Sequence, residues 1–178
     1  MSTPETGRPT GRPAGLPSLD ASGIEYTLTE HGPVSSLAEA AAARGVEPDH
    51  LVKTLVVRRG EGDYVFVLVP GTRAIAWPKL RATLGVNRLS MPSAEEARAA
   101  TGYPRGSITP FGSTTAWPVV ADLTLRGRTV SIGAGAPGAA VTVDADALIA
   151  VLAADVADVT EPEPGSASRT PRPSTRRP

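Results

Sequence analysis

The sequence has no cysteine and only two histidines, and each shortage excludes a class of site. None of the 178 residues is cysteine, so disulfide bonds and zinc sites built from thiolates are excluded. His31 and His50 are the only imidazoles, and they lack the spacing that places two histidines on one helical face. A catalytic metal would need carboxylates from scattered positions, so we expect no metal centre.

Long hydrophobic runs are also missing. No run approaches the ~18 apolar residues of a membrane-spanning helix, and the first residues lack the apolar core of a signal peptide. We therefore expect a soluble, cytoplasmic protein without a membrane partner.

The chain also lacks an excess of either charge. Its formal net charge is +0, and its central part is mildly acidic once the arginines near both ends are set aside. No basic recognition helix is apparent, so duplex DNA is not an expected partner. A local patch can still guide a phosphate backbone. Its candidate members are Arg58, Arg59, Arg73, Lys79, Arg81 and Arg105.

Apolar residues are scarce at both ends, where proline is frequent. Residues 1–18 and 161–178 cannot bury a core, which predicts a disordered N-terminal segment and a disordered tail rich in proline and arginine. Residues 20–160 remain as one domain, long enough to bury a single hydrophobic core.

Strand and helix patterns are mixed in this domain without regular alternation. Strands are predicted near 24–29, 51–58, 64–69, 119–123, 129–132, 140–143 and 156–159, and helices near 36–45, 78–85, 93–100 and 145–154. This order predicts an α+β fold with a mixed, partly closed sheet flanked by helices, rather than a doubly wound sheet.

Lysine occurs only twice, and one of the two lies in an unusual place. Lys53 interrupts the apolar run 51–57, which is predicted to be a strand. An ammonium there must reach water or face a polar cavity, because burying it unpaired costs several kcal/mol. Lys53 therefore marks either a binding site or an edge strand that is protected from aggregation.

The second unusual feature is the loop 101–112, which contains three glycines and two prolines. Such a backbone is stiff, and its glycines let main-chain N–H groups approach a ligand and polarise a carbonyl. A simple tight turn is the alternative. The run 133–138 is also rich in glycine, but it lacks the following helix and the downstream acid of a dinucleotide fingerprint.

Taken together, several separated motifs resemble the YbaK family, which comprises bacterial aminoacyl-tRNA deacylases and the editing domain inserted in prolyl-tRNA synthetases. The motifs are Glu30-His31-Gly32-Pro33, Val52-Lys53-Thr54-Leu55, Thr101-Gly102-Tyr103, Gly106-Ser107-Ile108-Thr109-Pro110-Phe111-Gly112, Asp122 and Gly133-Ala134-Gly135. Their order covers roughly residues 22–160.

The resemblance implies a barrel-like mixed sheet and a hydrolase that removes a wrong amino acid from the 3′-terminal ribose of a tRNA. It implies no metal and no organic cofactor. The tRNA acceptor end is then the partner, and an aminoacyl-tRNA synthetase is a candidate second partner.

The same resemblance assigns residues to the site. Lys53 matches the functional lysine of the family, and residues 106–110 match its Gly-x-x-x-Pro loop. The expected catalytic residues are Lys53, Gly106, Ser107, Ile108, Thr109 and Pro110. The expected substrate-binding residues are Thr29, His31, Ala38, Thr54, Gly102, Tyr103, Asp122, Gly133 and Ala140.

An aminoacyl ester is already activated, so the enzyme needs mainly to position it and to stabilise the developing oxyanion. We expect N–H groups of residues 106–109 to meet the ester carbonyl, and Lys53 to hold the terminal phosphate or ribose. This hypothesis requires that Lys53 share one hollow with the loop.

Other mechanisms and functions remain open from the sequence. Ser107 or Thr109 acting as a nucleophile with His31 would need an orienting acid. Asp122 is the candidate, although an aspartate at a strand end more often accepts from backbone N–H groups. A noncatalytic module that binds tRNA or a nucleotide is the alternative function, and a purely structural interaction domain is the third.

The sequence departs from the family in its pocket. Members that act on cysteinyl-tRNA have aromatic residues near the positions of Thr29 and Ala38 and an acid near Ala140, and alanine-selective members use a histidine in the C-terminal half. None of these is present. The sequence therefore does not predict which amino acid is removed.

Overall fold

The computed structural model describes residues 12–163, which form five α-helices, two short 3-10 helices and nine strands. The α-helices are α1 (Leu16–Ser22), α2 (Leu37–Arg44), α3 (Trp77–Leu84), α4 (Ala94–Thr101) and α5 (Ala145–Val151). The strands are β1 (Thr27–Glu30), β2 (Val52–Gly60), β3 (Asp63–Pro70), β4 (Arg73–Ile75), β5 (Val119–Asp122), β6 (Thr129–Gly133), β7 (Ala139–Asp144), β8 (Asp155–Ala157) and β9 (Thr160–Pro162).

The strands form three sheets. A four-stranded sheet has the order β2-β3-β5-β8, a three-stranded sheet has the order β1-β7-β6, and β4 pairs with β9. In the first sheet β2 is antiparallel to β3, whereas β3, β5 and β8 run parallel. The α+β class with a mixed sheet is confirmed.

The barrel-like closure is wrong, because no sheet in residues 12–163 closes on itself. On the side of β2 away from β3, main-chain pairing is limited to two isolated bridges, Arg58 with Ser90 and, just before the strand, Leu51 with Ser131. A continuous ladder between β2 and β6 would be needed for closure, and one bridge does not supply it.

Two hydrophobic clusters occupy opposite faces of β3, because successive side chains of a strand point to opposite sides. Phe66 and Leu68 pack in the larger cluster with residues of the three-stranded sheet. Val65 and Val67 pack in the smaller cluster with Leu80 of α3. This two-sided burial accounts for the nearly continuous apolar sequence of β3.

The helix ends follow the signals in the sequence. The hydroxyl of Ser36 accepts from the N–H of Glu39 at the start of α2, and Gly45 ends that helix in a left-handed conformation. Ser93 accepts from the N–H of Glu96 at the start of α4. No helix among the described residues is long and apolar enough to cross a membrane.

Elements of the structure reach into both segments that the sequence predicts to be disordered. In the N-terminal one, α1 begins at Leu16 and buries both Leu16 and Leu19. Pro17 is compatible with this helix, since its missing N–H lies in the first turn. At the other end β9 extends the ordered part past residue 160. The remainder of both predicted disordered segments, 1–11 and 164–178, lies outside the described residues.

Candidate active site

A cavity of about 280 Å³ opens beside the free edge of β2. Its lining consists of residues 51–56, then Arg105, Gly106 and Ile108 of the loop after α4, Gly133 at the end of β6, and Arg44, Met91, Pro92 and Ala97. The cavity therefore brings Lys53 and the glycine loop together, as the sequence predicts.

The cavity lies where β2 has no partner strand. The N–H of Arg58 donates to Ser90 at 2.8 Å and its carbonyl accepts from Ser90 at 3.1 Å, on the side of β2 away from β3. Alternate residues of an antiparallel strand direct their main-chain groups to the same side. The main-chain groups of Thr54 and Val56 therefore face the cavity.

The lining is positively charged. It contains the cationic residues Arg44, Lys53 and Arg105, and it contains no aspartate or glutamate. Cations that face a partly enclosed space without a counter-charge attract an anion. A phosphate or carboxylate is the ligand chemistry that this lining favours.

Lys53 is half-buried and held in place. Its Nζ donates to the carbonyl oxygen of Arg73, at the start of β4, at 2.7 Å. An ammonium has three donors, and within residues 12–163 the other two have no hydrogen-bond acceptor. β2 is an edge strand, so the lysine also lies where it would oppose strand addition.

Arg44 was not recognised from the sequence. It is the last residue of α2, and its Nε is buried without a hydrogen-bond partner. Burial lowers the pKa of its guanidinium, although the group stays charged. Its position, three residues after buried Ala41, puts both residues on one helical face. That spacing is the signal that would have identified it.

Two residues of the cavity lining have unpartnered polar atoms. Besides Arg44 Nε, the hydroxyl oxygen of Thr54 is buried without a hydrogen-bond partner. Ser131, which pairs with the lining residue Leu51, also has a buried hydroxyl without a partner. Buried polar atoms in native proteins are nearly always paired, so this group of atoms indicates a place for a polar ligand.

The glycine loop is fixed from inside. The hydroxyl of Tyr103 donates to the carbonyl of Phe111 at 2.6 Å, which joins the two ends of the loop. Burial raises the pKa of Tyr103 and keeps this hydroxyl protonated. Gly102 ends α4 with φ 82° and Gly106 turns the loop with φ 93°, both in the region that favours glycine.

Two main-chain N–H groups of the loop belong to residues of the cavity lining and are not used within the loop. Gly106 and Ile108 line the cavity, and their N–H groups have no backbone acceptor within residues 12–163. The N–H of Ser107 is different, since it donates to Pro104 at 3.1 Å.

The side chains of Ser107 and Thr109 point into the protein instead. Both are buried, and neither belongs to the cavity lining. The hydroxyl of Thr109 accepts from the N–H of Phe111. Pro110 also lies outside the lining. The loop therefore presents backbone, and not hydroxyl groups, to the cavity.

The remaining predicted binding residues are divided between the cavity and its surroundings. Thr29 pairs with Ala140, and Ala140 pairs with Gly133, in one row across the three-stranded sheet. Of these three only Gly133 lines the cavity. Ala38 is exposed on α2, and Tyr103 and Gly102 support the loop.

His31 and Asp122 also lie outside the cavity lining. The Nδ1 of His31 lies 2.8 Å from the carbonyl of Gly32, and its Nε2 is buried without a partner. Asp122 is buried and accepts from the N–H groups of Thr124 and Val159, so it holds backbone at the end of β5. Within residues 12–163 no three metal-binding side chains are grouped.

Close backbone packing joins the N-terminal segment to both glycine-rich stretches. The N–H of Gly15 donates to the carbonyl of Ala134 at 2.9 Å. A Cβ on Gly112 would lie 2.8 Å from the carbonyl oxygen of Ala14, and one on Gly135 would lie 2.8 Å from the nitrogen of Gly15. These backbones therefore pack at distances that no larger residue allows.

Comparison with known sequences assigns the part of the chain that forms the cavity to a known family. The family model for the "Aminoacyl-tRNA editing domain" matches residues 31–151, which include every residue of the lining. A proline–tRNA ligase of Pelobacter propionicus is 35% identical over 116 residues, 65% of this chain and 20% of the ligase. The chain thus spans a fifth of that relative.

Shorter relatives match over most of their length. The prolyl-tRNA editing protein ProX of Acetoanaerobium sticklandii is 30% identical over 118 residues, 64% of this chain and 72% of that protein. The crystal structure of a candidate trans-editing enzyme for prolyl tRNA synthetase has a TM-score of 0.76 and 28% identity, covering 85% of this chain and 99% of the other. A hypothetical protein matches with a TM-score of 0.76 and 29% identity, over 83% and 99%.

Proposed function

Because this chain belongs to the aminoacyl-tRNA editing domain family, we propose that it is an aminoacyl-tRNA deacylase that edits mischarged tRNA in trans. The observation that carries this proposal is the cationic cavity, whose lining contains Lys53 together with Gly106 and Ile108 of the glycine loop. The activity contributes to translation fidelity by freeing a tRNA that carries the wrong amino acid.

The first step is binding of the 3′-terminal nucleotide. Its phosphate is an anion, and charge-assisted hydrogen bonds from guanidinium and ammonium groups to phosphate are roughly twice as strong as neutral ones. Arg44 has an unpartnered Nε, and Lys53 has donors beyond the one that Arg73 accepts. These two residues hold the terminal phosphate or ribose.

The second step is hydrolysis of the ester. The carbonyl oxygen of the ester accepts from the N–H groups of Gly106 and Ile108, which stabilise the negative charge that develops when water attacks the carbonyl carbon. The oxygen of the water joins the amino acid, and the proton goes to the ribose oxygen that leaves. The neighbouring ribose hydroxyl assists, so no serine or threonine nucleophile is required.

We propose that the substrate is a proline tRNA that carries a wrong amino acid. The names of the relatives support this choice, since they are proline–tRNA ligases and a prolyl-tRNA editing protein. A free-standing deacylase meets the charged tRNA after its release from the synthetase. We therefore propose a proline–tRNA ligase as the source of the substrate and as a candidate partner.

A panel of proline tRNAs, each charged with a different amino acid, tests the proposed function. The purified chain is expected to release at least one wrong amino acid and to spare the correct prolyl ester. Saturable binding of tRNA without release from any member of the panel would refute the enzyme and support a noncatalytic tRNA-binding module.

A further inference from the structure

A second, shallower hollow lies farther along β2 and is surrounded by arginines. Its volume is about 550 Å³. We call it the arginine hollow, and its lining consists of Arg58, Arg59, Gly60, Arg81, Asn87, Arg88, Leu89 and Ser90. The lining has four guanidinium groups and no carboxylate.

An irregularity in β2 brings two of these arginines to the same place. The register between β2 and β3 shifts between Arg58 and Gly60, so that Arg59 has no partner in the ladder. An extra residue of this kind changes the direction of the neighbouring side chains. Arg58 and Arg59, which would point to opposite faces of a regular strand, therefore both line the hollow.

Only part of this positive charge is neutralised within the described residues. Arg59 pairs with Asp63 at 2.9 Å, and Arg58 lies 4.0 Å from Glu96. Arg81 and Arg88 have no ion pair among residues 12–163. The hollow therefore carries an excess of positive charge in a domain whose sequence is mildly acidic. Planar guanidinium groups suit phosphate oxygens in particular.

The arginine hollow adjoins the cavity. Val56 and Met91 line the cavity, while Arg58 and Ser90 line the hollow, so both walls pass from one site to the other within two residues. Two residues of a strand span about 7 Å. The paired main chains of Arg58 and Ser90 lie between the two sites. A single strand with its end in the cavity can continue over this bridge into the hollow.

We propose that the arginine hollow binds the phosphate backbone of the tRNA acceptor end, just upstream of the nucleotide that occupies the cavity. This inference rests on the proposed function and identifies where the substrate leaves the active site. Contacts to phosphates position a nucleic acid without reading its sequence. The hollow accordingly contributes affinity for the acceptor end, and the cavity contributes the chemistry.

Binding of uncharged tRNA to the full chain, measured at several salt concentrations, tests the proposal. Arg88→Glu is expected to raise the Kd for tRNA on the order of tenfold. It should also make binding less dependent on salt: the magnitude of the slope of log K against log salt should fall by about 0.7 for each single-strand phosphate that is no longer neutralised. Arg126→Glu is the matched control, because Arg126 is exposed like Arg88 but lies outside the hollow. Arg81→Gln combined with Arg88→Gln should weaken binding more than Arg88→Gln alone.

The proposal is overturned if Arg88→Glu weakens tRNA binding no more than Arg126→Glu, or if the salt slope does not change, while both proteins remain folded by circular dichroism. Uncharged tRNA has no ester, so this measurement is independent of hydrolysis. A chain that binds tRNA through Arg88 but releases no amino acid contradicts only the proposed function. A chain that releases amino acid but binds tRNA independently of Arg88 contradicts only the arginine hollow.

Discussion

The two lysines of the chain have different surroundings. Lys53 lines the cavity and is held by a main-chain carbonyl, whereas Lys79 lies on α3 and pairs with Asp158 at 2.9 Å on the surface. Replacing each lysine in turn therefore compares the same charge inside and outside the cavity.

Lys53→Met is expected to lower kcat/KM for the best mischarged tRNA on the order of a hundredfold, because it removes the charge that holds the terminal phosphate or ribose and so misplaces the ester. Lys79→Met removes the same charge outside the cavity and should keep the rate within about twofold, since an exposed ion pair contributes little. Deacylation by Lys53→Met at near the wild-type rate would refute the assigned role.

We expect Arg44 to lower the stability of the folded protein and to contribute to binding of the tRNA. Arg44→Met keeps the apolar length of the side chain and removes a buried donor that has no partner, so the free energy of unfolding should rise by about 1 kcal/mol. The KM for mischarged tRNA should rise as well, because methionine cannot donate to a phosphate. Urea unfolding and steady-state kinetics measure the two effects. A fall in stability with an unchanged KM would show that Arg44 is structural.

The sequence identified Lys53 but not Arg44, for a physical reason. A lysine in an apolar strand is unusual on its own, whereas an arginine in the last turn of a helix is ordinary, since it complements the helix dipole. Only the fold, which places Arg44 in one cavity lining with residues 51–56, gives it its significance. The buried side chains of Ser107 and Thr109 agree with a role for the main chain of this loop rather than for its hydroxyl groups.

At the scale of an element, the glycine loop depends on one left-handed residue. Gly106 has φ 93°, and a Cβ placed on it meets nothing within 4 Å, so Gly106→Ala introduces backbone strain without a clash. The strain of about 1–2 kcal/mol is relieved when the loop rotates, and the N–H groups of Gly106 and Ile108 then leave their positions.

Gly106→Ala should therefore lower kcat at least tenfold with little effect on the melting temperature. Gly23 is the matched control, since it has φ 75° and a Cβ placed on it also meets nothing within 4 Å, but it ends α1 far along the chain from the loop. Gly23→Ala should carry a similar strain and keep full activity. Equal activity in both variants would exclude the loop donors from the reaction.

The elements that the sequence predicted well are those with strong local signals. The apolar runs of β2 and β3 and the capping serines of α2 and α4 are examples. The barrel-like closure was wrong because it depends on pairing between β2 and β6, which are distant in the chain. β4 and β9 have three residues each, too few to show an alternating pattern.

At the scale of the whole molecule, α1 and the residues just before it anchor the N-terminal part of the domain and pack beside the loop that faces the cavity. Leu16 and Leu19 are buried in the larger hydrophobic cluster. Fully burying a leucine stabilises a protein by about 1.5–3 kcal/mol, so deletion of residues 1–23 should lower the free energy of unfolding by roughly 3–6 kcal/mol.

The same deletion should reduce deacylation even at temperatures where the shortened protein stays folded, because Gly112 at the end of the loop no longer packs against Ala14. Deletion of residues 1–11 is the control, since it keeps every contact described for α1. Circular dichroism during urea unfolding measures stability, and the release of amino acid measures activity. A shortened protein that keeps both would show that α1 is dispensable.

The two bridges of β2 also bear on self-association. An unpaired strand edge is a template on which another copy can add a strand, and strands usually need about five residues to be stable. Between the bridge of Leu51 with Ser131 and the bridge of Arg58 with Ser90, residues 52–57 lie along one open edge of the sheet. That length is enough for another copy to add a strand, so the charge of Lys53 within it is the feature that opposes such pairing.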